Sequence, residues 1–98
     1  MKLWVDDVRP APEGYIWTRS VYGAMDLIEK AETLNLEFKL LDLDHDAGDW
    51  ACCGGDYIKL LDWLEMTGRN YPIHIHSMNP VGIQNMRVII QKNGWEEV

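Results

Sequence analysis

The stretch FKLLDLDHDAG, Phe38 to Gly48, decides the reading of this chain. Phe38 to Leu43 is a nearly continuous apolar run interrupted by Asp42, the pattern of a central strand covered on both faces of a parallel sheet. The run ends abruptly in Asp44, His45 and Asp46, and the loop Ala47 to Gly55 that follows is rich in glycine. Upstream, Lys2 to Asp6 reads as a first strand whose Leu3, Trp4 and Val5 stop at Asp6 and Asp7. Pro10, Pro12 and Gly14 mark a loop, and Tyr15 to Thr18 reads as a short second strand. Ser20 is an N-cap for a helix over Val21 to Thr33, where Val21, Ala24, Met25, Ile28 and Ala31 share one face. Downstream, Asp56 is the expected cap of a second helix carrying Tyr57, Leu60, Leu61 and Leu64, with Gly68 as its stop. Pro72 opens a strand, Ile73 to His76, and Pro80 starts a third helix running to about Lys92 and ended by Gly94.

Strands alternating with helices predict an α/β fold, one domain over residues 1–98, three-layered in outline around a mainly parallel sheet of about four to five strands. The tail Gly94 to Val98 is the only candidate for the fifth strand. The loop between the first two strands is short for a parallel crossover, so either it holds a helical turn or the second strand pairs differently. The net charge is −7, nine basic against sixteen acidic residues, which removes the basic face that a duplex-coating protein requires. No apolar run is long enough to cross a bilayer, and no signal segment is evident. Cys52 and Cys53 are adjacent, which disfavours a disulfide between them; reduced thiols and a cytoplasmic location are expected.

In open parallel sheets ligands bind beyond the carboxyl ends of the strands. Those ends deliver Asp6 and Asp7, then Asp44, His45 and Asp46, then His76, Ser77 and Asn79. Neighbouring strands are about 4.8 Å apart, so the groups converge if the strands are adjacent; clustered carboxylates repel, and either a divalent cation resolves them or, as for Asp6 and Asp46, they cap loops and accept backbone hydrogen bonds. Carboxylate oxygens suit Mg²⁺ or Mn²⁺, and a histidine ligand shifts the preference toward Mn²⁺, Fe²⁺ or Zn²⁺. Period two sets His74 and His76 on one side of their strand, with His76 nearer the edge and His74 the expected core histidine. The turn from Ser77 to Gly82 leads into a helix N-terminus, where Asn79 caps and Gly82 permits close backbone approach. Arg9 and Arg19 are candidates for neutralising the acids or contacting phosphate, against ordinary ion pairing. Of the five tryptophans, Trp4, Trp17 and Trp63 fit core or half-buried positions, whereas Trp50 either covers the sheet edge or stacks on a base.

LWVDDVRPAPEGYIWTRS at 3–20, LDHDAG at 43–48 and HSMNPVGIQNM at 76–86 resemble the cyclic-phosphate processing receiver-like family, a reduced form of the flavodoxin-like receiver fold. The resemblance covers nearly the whole chain and implies an active pocket of Asp6, Asp7, Arg9, Asp44, His45, Asp46, His76, Ser77 and Asn79. The expectation is a metal-assisted phosphoesterase that opens a cyclic phosphate on a nucleotide or an RNA end. In it Asp6, Asp7 and Asp44 hold the cation, and His45 and His76 move protons with Asp46 and Ser77 beside them. Arg9, Arg19, Asn79 and Gly82 then face a phosphate-containing small molecule or RNA end. The alternative is a catalytically silent receiver-like module that binds a protein partner or a nucleotide.

Overall fold

The computed structural model describes residues 1–98. Four strands, β1 (Lys2–Val5), β2 (Tyr15–Thr18), β3 (Leu40–Leu43) and β4 (Ile73–Ile75), form one parallel sheet in the order β2-β1-β3-β4. Three helices follow the strands: α1 (Val21–Thr33), α2 (Ile58–Met66) and α3 (Pro80–Asn93). The α/β receiver-like class is therefore the fold of this chain. No helix is long and apolar enough to cross a membrane. The tail adds a parallel bridge, Ile73 to Glu97, with Val98 N donating to the Ile73 carbonyl at 2.8 Å, which is as much of a fifth strand as forms.

Local chemistry sets the helix ends. Ser20 Oγ accepts the Gly23 amide at 2.9 Å, and α1 buries Val21, Ala24, Ile28 and Ala31. Asn79 Oδ1 accepts the Gly82 amide at 3.0 Å, and Pro80 opens α3 where its missing N–H costs nothing. Asp56 departs from its expected role. Tyr57 stands at the N-cap of α2 without a side-chain bond, and Asp56 Oδ1 instead takes the Ala47 amide at 2.9 Å, closing the loop that follows β3. Within that loop Gly48–Cys53 is a 3₁₀ helix, where Cys52 and Cys53 are free thiols with sulfurs 3.2 Å apart.

Strand order sets where the helices pack. The steps from β2 to β3 and from β3 to β4 run the same way across the sheet, so right-handed crossovers place α1 and α2 on one face. All three helices share a single core cluster with Leu3, Val5, Leu41, Leu43 and Ile73. The opposite face carries Lys2, Trp4, Tyr15, Asp42 and His74, none of which belongs to that cluster.

The loop 6–14 resolves the irregularity between β1 and β2 in a third way. β2 pairs parallel to β1, Lys2 opposite Tyr15, with no helix between them. Each strand has four residues, about 13 Å, so an extended return suffices. That return is fastened by side chains: Trp4 Nε1 donates to the Arg9 carbonyl at 2.9 Å, and Trp17 Nε1 donates to the Asp6 carbonyl at 2.9 Å. The loop thus passes over the face that no helix covers.

Candidate functional site

The carboxyl ends of β1, β3 and β4 meet as the sequence implied, because β1 and β4 both flank β3. Asp6, fully buried, follows β1 and has both carboxylate oxygens engaged. Oδ1 accepts the amides of Val8 and Arg9 at 2.9 and 2.8 Å, and Oδ2 faces His76 Nε2 at 2.9 Å. Burial works to raise its pKa, but the Arg9 and Val8 amides and the His76 ring outweigh that and hold the carboxyl below its ordinary range.

His76 continues the β4 ladder, its amide donating to the Leu43 carbonyl at 2.9 Å. Its ring is clamped on both sides: Nδ1 lies 2.7 Å from Asp42 Oδ1 and Nε2 lies 2.9 Å from Asp6 Oδ2. Ionised carboxylates only accept, so with both acids charged both ring nitrogens donate, which is the pattern of an imidazolium. Burial opposes that charge, yet the bonds to Asp42 and Asp6 prevail and raise the pKa above 6.5. The Trp4 indole stacks on the ring with centroids 3.8 Å apart and planes within 3°, a favourable face for a cation. Tyr15 completes the group, its hydroxyl donating to Asp42 Oδ2 at 3.3 Å.

Asp42 and Trp4 are the residues the sequence reading left outside the site. The available signal was an acid inside an apolar run, which by period two falls on the same face as His74 and His76. His74 is half-buried on that open face rather than in the core, and its Nδ1 donates to the Val98 carbonyl at 2.6 Å.

Asp44 Oδ1 accepts the His45 amide at 2.7 Å. Asp6, Asp44 and His76 each offer a ligand atom within 4.8 Å of the others, so the tight group contains His76 where Asp7 was expected. Asp7 lies beside it: burial first, and then the Asp6 and Asp44 charges, raise its carboxyl pKa, against its own backbone amide. Gly48, at φ +56°, starts the 3₁₀ helix against this carboxylate, where a Cβ would fall 2.5 Å from Asp7 Oδ2.

These donors fit a divalent cation. Asp6 and Asp44, with Asp7 alongside, are hard oxygen ligands that suit Mg²⁺ or Mn²⁺. His76 Nε2 becomes a ligand only if its proton leaves and its bond to Asp6 opens, which weighs against a Zn²⁺ preference.

His45 is held differently. Nδ1 pairs with Asp46 Oδ1 at 2.9 Å, while Nε2 has no partner within the chain and is not sealed from solvent. The His45 bond is the main reason the Asp46 carboxyl sits below its usual range. Asn79 Nδ2 reaches Asp46 Oδ2 at 3.3 Å while Asn79 Oδ1 caps α3, so the helix start and the His45–Asp46 pair are one unit. Gly82, buried, packs directly on the ring, and a Cβ there would lie 2.4 Å from His45 Cγ. Its amide is spent on Asn79, so the close approach permitted by this glycine is to His45. Gly82→Ala is expected to displace the His45 ring and to cost roughly 1–3 kcal/mol of stability by overpacking, checked by denaturant unfolding and by the His45 ring NMR shifts.

Ser77 Oγ accepts the Asn79 amide at 3.0 Å, closing the turn before α3, and has no histidine partner. Arg9 reaches back over the edge, with Nη1 3.3 Å from the His76 carbonyl and Nε 3.9 Å from Asp6 Oδ2. Arg19 lies just beyond β2 with its guanidinium over the Trp17 ring at 4.4 Å.

No curated protein and no solved structure matches this chain significantly. The model of one family, described as the cyclic-phosphate processing receiver domain, matches residues 1–92. With the receiver-like sheet and the acid-rich edge already in place, that match over nearly the full length settles the relationship: the chain belongs to the family of cyclic-phosphate processing receiver domains.

Proposed function

We propose that this domain is a metal-assisted phosphoesterase that opens a cyclic phosphate carried by a nucleotide or an RNA end. The observation that carries the reading is the gathering of the Asp6, Asp44 and Asp7 carboxylates at the edge that also holds the His45–Asp46 pair. Asp6 and Asp44, with Asp7 beside them, hold the cation. When bound, a divalent cation polarises a phosphoryl oxygen and lowers the pKa of a coordinated water. His45, oriented by Asp46 through Nδ1, presents Nε2 for proton transfer, to activate water or to protonate the departing alkoxide. His76 has no free nitrogen and acts as a positioning residue: it fixes the Asp6 carboxylate and offsets its charge. The expected acid and base pair of His45 and His76 is accordingly revised to His45 alone as the proton carrier. Arg9 and Arg19 supply positive charge at an otherwise acidic edge, and Asn79 keeps Asp46 in place.

One observation favours the second reading, a binding module without turnover: both Asp6 oxygens are already satisfied within the chain. The two readings part on a panel of 2′,3′-cyclic and 3′,5′-cyclic nucleotides and cyclic-phosphate-ended RNA, each with Mg²⁺, Mn²⁺ and Zn²⁺. Turnover that needs the ion supports the enzyme, and none with any ion leaves the module. Separately, a bound ion is expected to raise the melting temperature by mass action, about 2.7 kcal/mol at a hundredfold excess over Kd. Asp44→Asn is expected to abolish that shift, and an unshifted wild type would remove the metal from the proposal.

A further inference from the structure

Four arginines occur in the chain, and three sit beside carboxylates: Arg9 near Asp6, Arg69 on Glu32 and Arg87 on Glu97. Arg19 is the exception. In a domain of net charge −7 it forms no ion pair, although the acids of the site lie on the same sheet edge. It lies near two indoles instead, its guanidinium 4.4 Å from the Trp17 ring centre and 5.8 Å from that of Trp50. A guanidinium held by aromatic rings and not by a carboxylate keeps N–H groups free for an anion.

This group is fastened to the acidic centre from both sides. Trp17 Nε1 donates to the Asp6 carbonyl at 2.9 Å, and the buried Tyr57 hydroxyl donates to the Arg19 carbonyl at 2.7 Å. Trp50 belongs to the 3₁₀ helix whose first residue, Gly48, abuts the Asp7 carboxylate. Trp50 itself is 38% exposed and takes no part in the core cluster. The indole therefore keeps surface open to solvent beside a cation that lacks a carboxylate.

We propose that Trp50 and Arg19 form a platform for a nucleobase, so that the cyclic phosphate processed at this site is carried by a nucleotide and not by a base-free sugar or polyol. The inference rests on the phosphoesterase reading for its ligand, and it adds which residues hold the base. The base stacks on the open side of Trp50, and the Arg19 fork meets the phosphate or a base-edge acceptor. Stacking of this kind tolerates any base, because each has a π-face, with purines favoured by their larger area.

The experiment compares 2′,3′-cyclic AMP with base-free ribose 2,3-cyclic phosphate, by calorimetry and by quenching of tryptophan fluorescence, in the presence of Mg²⁺ or Mn²⁺. Wild type is expected to prefer the nucleotide by about ten- to a hundredfold, and Trp50→Ala to collapse that preference toward unity. Arg19→Lys keeps the charge without the planar face and is expected to lose part of the preference. Equal affinity of wild type for both ligands, an unchanged preference in Trp50→Ala, or no binding of either ligand would each overturn the platform. Equal turnover of the two ligands removes the platform and keeps the phosphoesterase. Base-dependent binding without turnover keeps the platform and removes the phosphoesterase.

Discussion

A His76→Ala variant is expected to lose about 3–5 kcal/mol of stability, because the substitution removes the cation shared by two buried carboxylates and leaves both charges uncompensated. Asp6 is fully buried and Asp42 is 4% exposed, so neither finds bulk water in exchange. For a domain of this length the melting temperature should fall by roughly 12 °C or more, measured by circular dichroism. The pH dependence identifies the cause. A raised His76 pKa means that its contribution is complete below 6.5 and is lost as pH climbs through the higher folded value. The lowered Asp6 pKa means that its contribution is complete above 3.8 and is lost as pH falls through the still lower folded value. Wild type should therefore be most stable between these limits, and a His76→Gln variant should lack the alkaline decline that His76 causes. A His76→Ala protein as stable as wild type would show that the clamp does not support the fold. This result also revises what a histidine scan can say about turnover: a loss of activity in His76→Ala would report unfolding as well as chemistry, so the activity test belongs on His45.

His45→Ala is expected to lower turnover of a cyclic phosphodiester by about 10²–10⁴ while leaving the fold intact. The ring is half-buried against Gly82 and makes one side-chain pair of consequence, with Asp46, whose own carboxylate is largely exposed. Its removal strands no buried charge. Asp46→Asn should have a smaller effect, since it keeps a hydrogen-bonding side chain but loses the charge that orients Nδ1–H. In a pH–rate profile one limb should disappear with His45 and persist in His74→Ala, whose ring only meets the tail carbonyl of Val98. Near wild-type turnover in His45→Ala would move the proton transfer to another group.

The element order was legible because each signal is local. Ser20 and Asn79 accept amides within three residues, and Leu3, Val5, Leu41 and Leu43 follow the period of a strand. The meeting of Asp6, Asp44 and His76 was legible as well, since strand ends in a parallel sheet converge by construction. Asp56 was misread because two oxygen-accepting roles lie close together along the chain. It could serve the helix ahead or the loop behind, and only the closure of residues 47–56 shows that Ala47 takes it.

Sequence alone therefore determined the α/β class, the positions of strands and helices, the acidic strand ends and the relationship to cyclic-phosphate processing receivers. The tertiary structure decided the rest. Strand order put all three helices on one side, left the Trp4 face to the loop 6–14, and set Asp42 opposite His74 so that His76 reaches both Asp42 and Asp6. The physical reason is that propensities and caps act over a few residues, whereas the charge state of a buried histidine depends on partners 34 and 70 positions away, which only the pairing of strands brings within hydrogen-bonding distance.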